Sequence, residues 1–187
     1  MPYIVYLDET GDHGMEAINS SFPVFGVALL VCEIADYCAT IVPEFYRLKL
    51  DFCGHEGAIL HSRDIRRQQG DFSFLVDPAK RANFYSRVNH IMGTMPYQVI
   101  MAVIDKVRHH ATYGRWAENP YDLALMFALE RLLPLLEEAG QPHVQIVAEA
   151  RGTNEDNALR LSFLEVVTNG TSCVRAARFR AITFNCQ

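Results

Sequence analysis

The chain has 187 residues, long enough for one domain with a sizeable core. Half of the residues are hydrophobic and 21% are charged, the make-up of an ordinary soluble globular protein. A net charge of −5 argues against a surface coated in positive potential, although local basic groups remain for nucleic acid: Arg63, Arg66 and Arg67, then Arg175, Arg178 and Arg180.

Five cysteines, an odd number without a C-x-x-C pair, suit reduced thiols better than a disulfide framework. The longest apolar run, 24–32, has strand length and not membrane-spanning length. The chain opens on a strand and not on the charged lead and apolar core of a signal peptide. A cytoplasmic location, without membrane contact, is therefore expected.

Residues 3–7 (Tyr-Ile-Val-Tyr-Leu) are β-branched and aromatic, and predict a strand buried on both faces. Asp8-Glu9-Thr10-Gly11-Asp12 then reads as an acidic turn. Three carboxylates in five residues repel one another and call for a nearby positive charge. A hard cation such as Mg²⁺ or Mn²⁺ takes carboxylate oxygens and answers that need, with Asp8 as its anchor. The same residues also suit an exposed acidic turn leading into a hairpin.

A second apolar run, 22–32, is close enough to the first to be its antiparallel neighbour. Apolar residues at Ile34, Tyr37, Ile41, Phe45 and Leu48 predict an amphipathic helix over 33–49, kinked or broken at Pro43. The glycine-containing stretch 51–77 has no sustained period and reads as an insertion with a short extended piece near 58–61. It carries His61-Ser62-Arg63-Asp64-Ile65. Asp77-Pro78 opens a helix running to about residue 92, with Asp as cap and Pro in the first position. Residues 97–104 form a third strand, with Asp105 at its end. The basic stretch Val107-Arg108-His109-His110 reads as a loop, with His109 and His110 exposed.

Asn119-Pro120 opens a further helix, apolar on all sides from 121 to 136, which predicts a central element. Pro134 cannot donate to the carbonyl of Glu130, so a bend is expected there. Gly140-Gln141-Pro142 turns into a fourth strand, 143–148, that delivers Glu149. A helix over 155–168 and a last strand over 179–184 complete a mixed α/β sheet with flanking helices.

Asp8 and Glu149 thus stand at strand carboxyl ends, where ligands of α/β sheets gather. Glu130 is the one carboxylate on the inner part of the apolar helix, where it needs a metal, a proton or an ion-pair partner such as Arg131 or Arg151. Asp105 has similar placement to Asp8, but the lysine after it makes it the better structural partner of a basic residue. His61 and Asp64 are candidates for the metal or substrate, and Arg63 for a phosphate. Cys53, His55 and His61 lack structural zinc spacing. No nucleophile elbow or glycine-rich phosphate loop is present.

Tyr6-Leu7-Asp8-Glu9-Thr10-Gly11-Asp12, then Phe22-Pro23-Val24-Phe25, His61-Ser62-Arg63-Asp64-Ile65, and Val147-Ala148-Glu149-Ala150-Arg151-Gly152 with Glu155-Asp156 resemble the domain of unknown function 3800 family of bacteria, archaea and phages. The resemblance implies a ribonuclease H-like fold whose acidic residues bind two divalent metals, Mg²⁺ or Mn²⁺, and cleave phosphodiesters. It implies Asp8, Glu130 and Glu149 as catalytic metal ligands, with His61, Arg63 and Arg151 as substrate contacts. Thr10 and Ala150 stand where family members usually have serine, or serine or another small residue. The family's C-terminal helix, with a further aspartate, has no counterpart here, and the uncovered last strand is expected to meet a partner chain or a second copy. The expectation is a single ribonuclease H-like domain over 1–187, with a helical and loop insertion around 33–95, acting as a metal-dependent nuclease of a phage or defence system. The alternative is a non-catalytic module on the same fold that binds nucleic acid or protein.

Overall fold

The computed structural model describes residues 2–141, 143–149, 153–179 and 182–186, with side chains for all of these except 153–156, 158, 177, 179 and 182–186. The sequence predicts one domain carrying an insertion; the chain divides into two compact units, Met1–Ile34 with Tyr97–Gln187, and Ala35–Pro96.

The first unit is built on a five-stranded mixed sheet in the order β3-β2-β1-β4-β5. Strand β1 (Tyr3–Thr10) pairs antiparallel with β2 (Val24–Glu33), and β2 antiparallel with β3 (Gln98–Asp105). On its other side β1 is parallel to β4 (Val144–Ala148), which is parallel to β5 (Ile182–Cys186). Strands β1, β3 and β4 therefore run the same way and end at the same sheet edge.

Successive strand residues face opposite sides of a sheet, and the register assigns them. Val5 and Leu7 of β1 share a face with Phe25, Val27, Leu29 and Val31 of β2, and with Val144, Ile146 and Ala148 of β4. All are buried in one core with helix α6 (Pro120–Glu138) and with Leu159, Phe163 and Val166 of helix α7 (Thr153–Asn169). The opposite face carries Ile4, Tyr6 and Asp8, then Leu30, Val99, Met101, Val103 and Val147. Val99, Met101 and Val103 are each more than half exposed. Strand β1 is thus buried on one face, not on both.

Helix α6 starts where Asn119 predicts: its side chain accepts from the N–H of Tyr121 at 2.9 Å, and Pro120 occupies the first position. It is central and covered on most sides as expected, with Phe127, Arg131 and Pro134 on an exposed stripe. The helix runs on through Pro134. An exposed proline leaves the Glu130 carbonyl open to water, which limits the cost of the lost helical bond.

Residues 107–110, expected as a loop, belong to helix α5 (Lys106–Tyr113). Asp105 begins it, accepting from the N–H of Arg108 at 3.0 Å, so it is a helix cap and not the partner of a basic side chain. A 3-10 turn, Gly114–Trp116, follows. A short helix, α8 (Ala176–Phe179), precedes β5.

At the start of the second unit, helix α1 (Ile34–Asp36) passes into a π-helical segment (Tyr37–Ile41) and then α2 (Val42–Cys53). The break expected at Pro43 takes this form: proline offers no N–H to the carbonyl four residues back, and the helix widens just before it. Stretch 58–61 forms no strand; helix α3 (Ser62–Arg67) and a 3-10 helix (Gly70–Val76) follow. Asp77 caps α4 (Pro78–Thr94) by accepting from the N–H groups of Ala79 and Lys80. Leu48, Phe72, Leu75, Phe84 and Ile91 form this unit's own core, where the Phe52 and Phe84 rings meet edge to face at 5.2 Å. Among the described residues no helix is long and apolar enough to cross a membrane.

Candidate functional site

The acidic run after Leu7 is not a turn at its start. Asp8, Glu9 and Thr10 remain in β1, paired with Ala28, Val27 and Gly26 of β2. Alternation then separates the three carboxylates. Asp8 faces away from α6, Glu9 shares the face of Val5 and Leu7, and Asp12 lies beyond the strand.

Asp12 is answered by a lysine. The fully buried Lys106 Nζ donates to the main-chain oxygens of Asp12 (2.6 Å) and Gly14 (3.1 Å), and lies 3.4 Å from Asp12 Oδ2. The N–H of Gly14 also donates to Asp12 Oδ1 at 3.1 Å. That backbone bond, followed by the Lys106 ammonium, holds the Asp12 carboxyl below its ordinary range. Gly11 makes the bend, with a φ of +89°. His13 then sets its ring edge against Phe25 and Tyr121 at 6.0 and 5.9 Å.

Asp8 and Glu149 do come together. The register of β1 with β4 ends at Leu7 opposite Ala148, and one further residue along each chain segment brings Asp8 and Glu149 side by side. Both line a surface cleft of about 320 Å³ with Tyr6, Leu7, Val147 and Ala148. Both are exposed, and no lysine or arginine is among the described residues lining the cleft. Asp8 Oδ1 accepts from the N–H of Glu9 at 2.8 Å, which fixes one end of that carboxylate.

Glu130 does not line this cleft. It belongs to α6, which packs on the Val5 and Leu7 face, whereas Asp8 projects from the other. The sheet lies between them. Glu130 is half-buried and accepts a hydrogen bond from the Thr171 hydroxyl. Thr171 Oγ1 in turn accepts from the N–H groups of Cys173 (3.2 Å) and Val174 (3.0 Å). Glu130 thus ties α6 to the turn that follows α7. Among the described residues, no group of three or more His, Cys, Asp or Glu side chains is gathered closely enough to hold a metal ion. The grouping of Asp8, Glu130 and Glu149 expected from the sequence is reduced to a pair.

His61 and Arg63 belong to the second unit, both exposed at the start of α3. His61 Nδ1 is 3.3 Å from Asp64 Oδ2, so the two candidates from that loop face each other. Arg151 lies outside the described residues. Cys38, Cys53 and Cys173 are free thiols, and the buried Cys32 Sγ donates to the Ile4 carbonyl at 3.9 Å.

Two features escape the sequence reading. Lys106 looks like one more basic residue after a strand, and only the fold buries it. The other is the end of α5, where Tyr113, Arg115 and Trp116 are exposed together. Nor is His109 exposed as expected: it is half-buried, its Nε2 bonded to the Glu118 carbonyl at 2.9 Å, and only His110 is open. The signal available was a tryptophan beside Gly-Arg after an acid-free basic stretch.

No family model matches the chain, and no curated protein matches it.

Proposed function

We propose that Asp8 and Glu149 hold a divalent cation, Mg²⁺ or Mn²⁺, and that the protein is a metal-dependent phosphodiester-processing enzyme, a nuclease of the ribonuclease H-like class. The observation that carries this reading is the alignment of the two carboxylates on one sheet face, at the carboxyl edge, in one surface cleft. The mixed sheet with its flanking helices is compatible with that fold, and the motifs around Asp8 and Glu149 are those on which the family resemblance rests.

Two carboxylates fit the chemistry of Mg²⁺, which is held by one or two of them and completes its shell with water and substrate phosphate. Such an ion lowers the pKa of its water and draws charge from a phosphate oxygen. The chain's own residues supply the rest. Adjacent strands, about 4.8 Å apart, set Asp8 beside Glu149, which follows the last residue of β4. The N–H of Glu9 orients one oxygen of Asp8, and Tyr6 and Val147 wall the cleft on the same face.

Manganese titration by calorimetry tests the pair on wild type, Asp8→Asn, Glu149→Gln and Glu130→Gln, followed by cleavage assays on RNA, DNA and their hybrid. The first two substitutions are expected to abolish binding and Glu130→Gln to preserve it. A wild type that binds no manganese, or a Glu130→Gln variant that loses it, defeats the proposal. The absence of a third ligand among the described residues favours the second reading, a non-catalytic nucleic-acid-binding module, if manganese binding fails.

A further inference from the structure

Residues 106–116 read Lys-Val-Arg-His-His-Ala-Thr-Tyr-Gly-Arg-Trp, with no acidic residue, in a chain of net charge −5. Lys106 is buried and committed to the 12–14 loop, so the outward cations are Arg108 and Arg115, with His110 beside them. Helix α5 ends at Gly114, whose φ of +54° turns the chain and leads Arg115 and Trp116 into a short 3-10 turn. Trp116 is 75% exposed and Tyr113 57%. The Arg115 guanidinium lies 4.8 Å from the Trp116 ring centre. His109 packs on Tyr113 at 5.1 Å and is anchored to the Glu118 carbonyl, which steadies Tyr113 while leaving it open.

An indole this exposed adds little to the core, and core packing does not explain it. Two open aromatic rings and two exposed arginines on the same short segment match one kind of occupant by charge and chemistry. Bases stack on aromatic faces whatever their sequence, and arginines meet the phosphates between them. Tyrosine, tryptophan and arginine are also enriched at protein interfaces, so an acidic protein is the competing occupant that the test must separate.

We infer that the elbow formed by α5 and the Gly114–Trp116 turn is a stacking platform for single-stranded nucleic acid. Bases rest on Trp116 and Tyr113, and phosphates pair with Arg108 and Arg115. Because β3 is parallel to β1 and β4, this elbow leaves the same sheet edge at which Asp8 and Glu149 stand. The surface rests on its own residues and needs no metal.

Trp116 is the only tryptophan, so its fluorescence reports the site directly. The experiment titrates the full chain with an oligothymidylate of about ten nucleotides, in chelator and low salt. Labelled-oligonucleotide anisotropy is then measured on wild type, Trp116→Ala and the double variant Arg108→Glu/Arg115→Glu, each checked for folding by circular dichroism. Saturable quenching is expected, with binding weakened by about 5- to 100-fold in Trp116→Ala. The double variant should lose binding. Two phosphate contacts predict a log–log salt slope of about −1.4, falling to about −0.7 in Arg115→Ala.

The inference is overturned by absent quenching, by variants that bind like wild type, or by equal binding of duplex DNA. Equal quenching by polyglutamate also overturns it and assigns the patch to acidic protein. Chelator removes any ion, so a failed manganese titration leaves this readout intact, and failure here leaves the manganese result standing.

Discussion

Replacing Lys106 with methionine tests whether a lysine, and not a metal, organises the turn after β1. Methionine fills most of the space of the buried stem but offers no ammonium. It removes two charge-assisted bonds, to the Asp12 and Gly14 carbonyls at 2.6 and 3.1 Å. Bonds of this kind contribute about 1.5–3 kcal/mol each. Residues 12 and 14 are exposed, so their carbonyls recover water, and the ammonium no longer has to be kept dry. Both effects favour the lower end, a net loss of about 2–3 kcal/mol. In a protein of this size that lowers Tm by about 5–10 °C. Thermal melts by circular dichroism measure it, with Asp12→Asn as companion, since that change weakens the long 3.4 Å contact of an exposed carboxylate and still leaves the Gly14 N–H an amide oxygen to donate to. The reasoning fails if Lys106→Met melts within about 1 °C of wild type, or if Asp12→Asn costs as much.

Gly11→Ala should destabilise by about 2 kcal/mol or more, read as a lower Tm, because its φ is +89° and a Cβ would lie 2.3 Å from the Val24 carbonyl oxygen; an unchanged Tm refutes this. Thr171→Val strands two backbone N–H groups and the Glu130 carboxylate, and should cost about 1–3 kcal/mol in urea unfolding while leaving manganese affinity unchanged. A loss of manganese binding there would return Glu130 to the metal site. The Asp12 carboxyl is held low by the Gly14 N–H and Lys106, and the Glu137 carboxyl by the Arg178 side chain. A depressed folded value means that the stabilisation is full above the unfolded carboxylate range, about pH 4, and is lost as pH falls through the folded values. Melts from pH 6 down to 2.5 should therefore show Asp12→Asn and Glu137→Gln losing less stability than wild type below about pH 4.

Much of the element order was legible because local chemistry decides it. Asp77-Pro78 and Asn119-Pro120 cap and start their helices as read, and the apolar runs become β1, β2 and β3. The acidic residues after Leu7 were harder, since their turn-forming tendency is overridden by pairing with β2 as far as Gly26. The burial of Lys106 left no local trace either: its partners are more than 90 positions away in the chain.

The misplacement of Glu130 is more instructive, because each address was read correctly. Asp8 and Glu149 stand near strand carboxyl ends, and Glu130 is on the long apolar helix. What address alone does not decide is face. The clue lay in β4, where Val144, Ile146 and Ala148 alternate with the exposed Gln145 and the half-buried Val147, and Glu149 falls in line with those two. That period assigns Glu149 to the side away from whatever covers the valine and isoleucine, and α6, the most apolar helix, is what covers them.

The same alternation constrains how a ligand arrives. A phosphodiester meeting Asp8 and Glu149 comes to the face away from α6, where Ile4, Tyr6, Leu30 and Val147 offer no positive charge. On the proposed reading, the negative charge of the nucleic acid is balanced by an ion between the carboxylates and by cations beyond the apolar strands. The exposed Arg108 and Arg115 follow β3, which leaves the same sheet edge two strands across from β1.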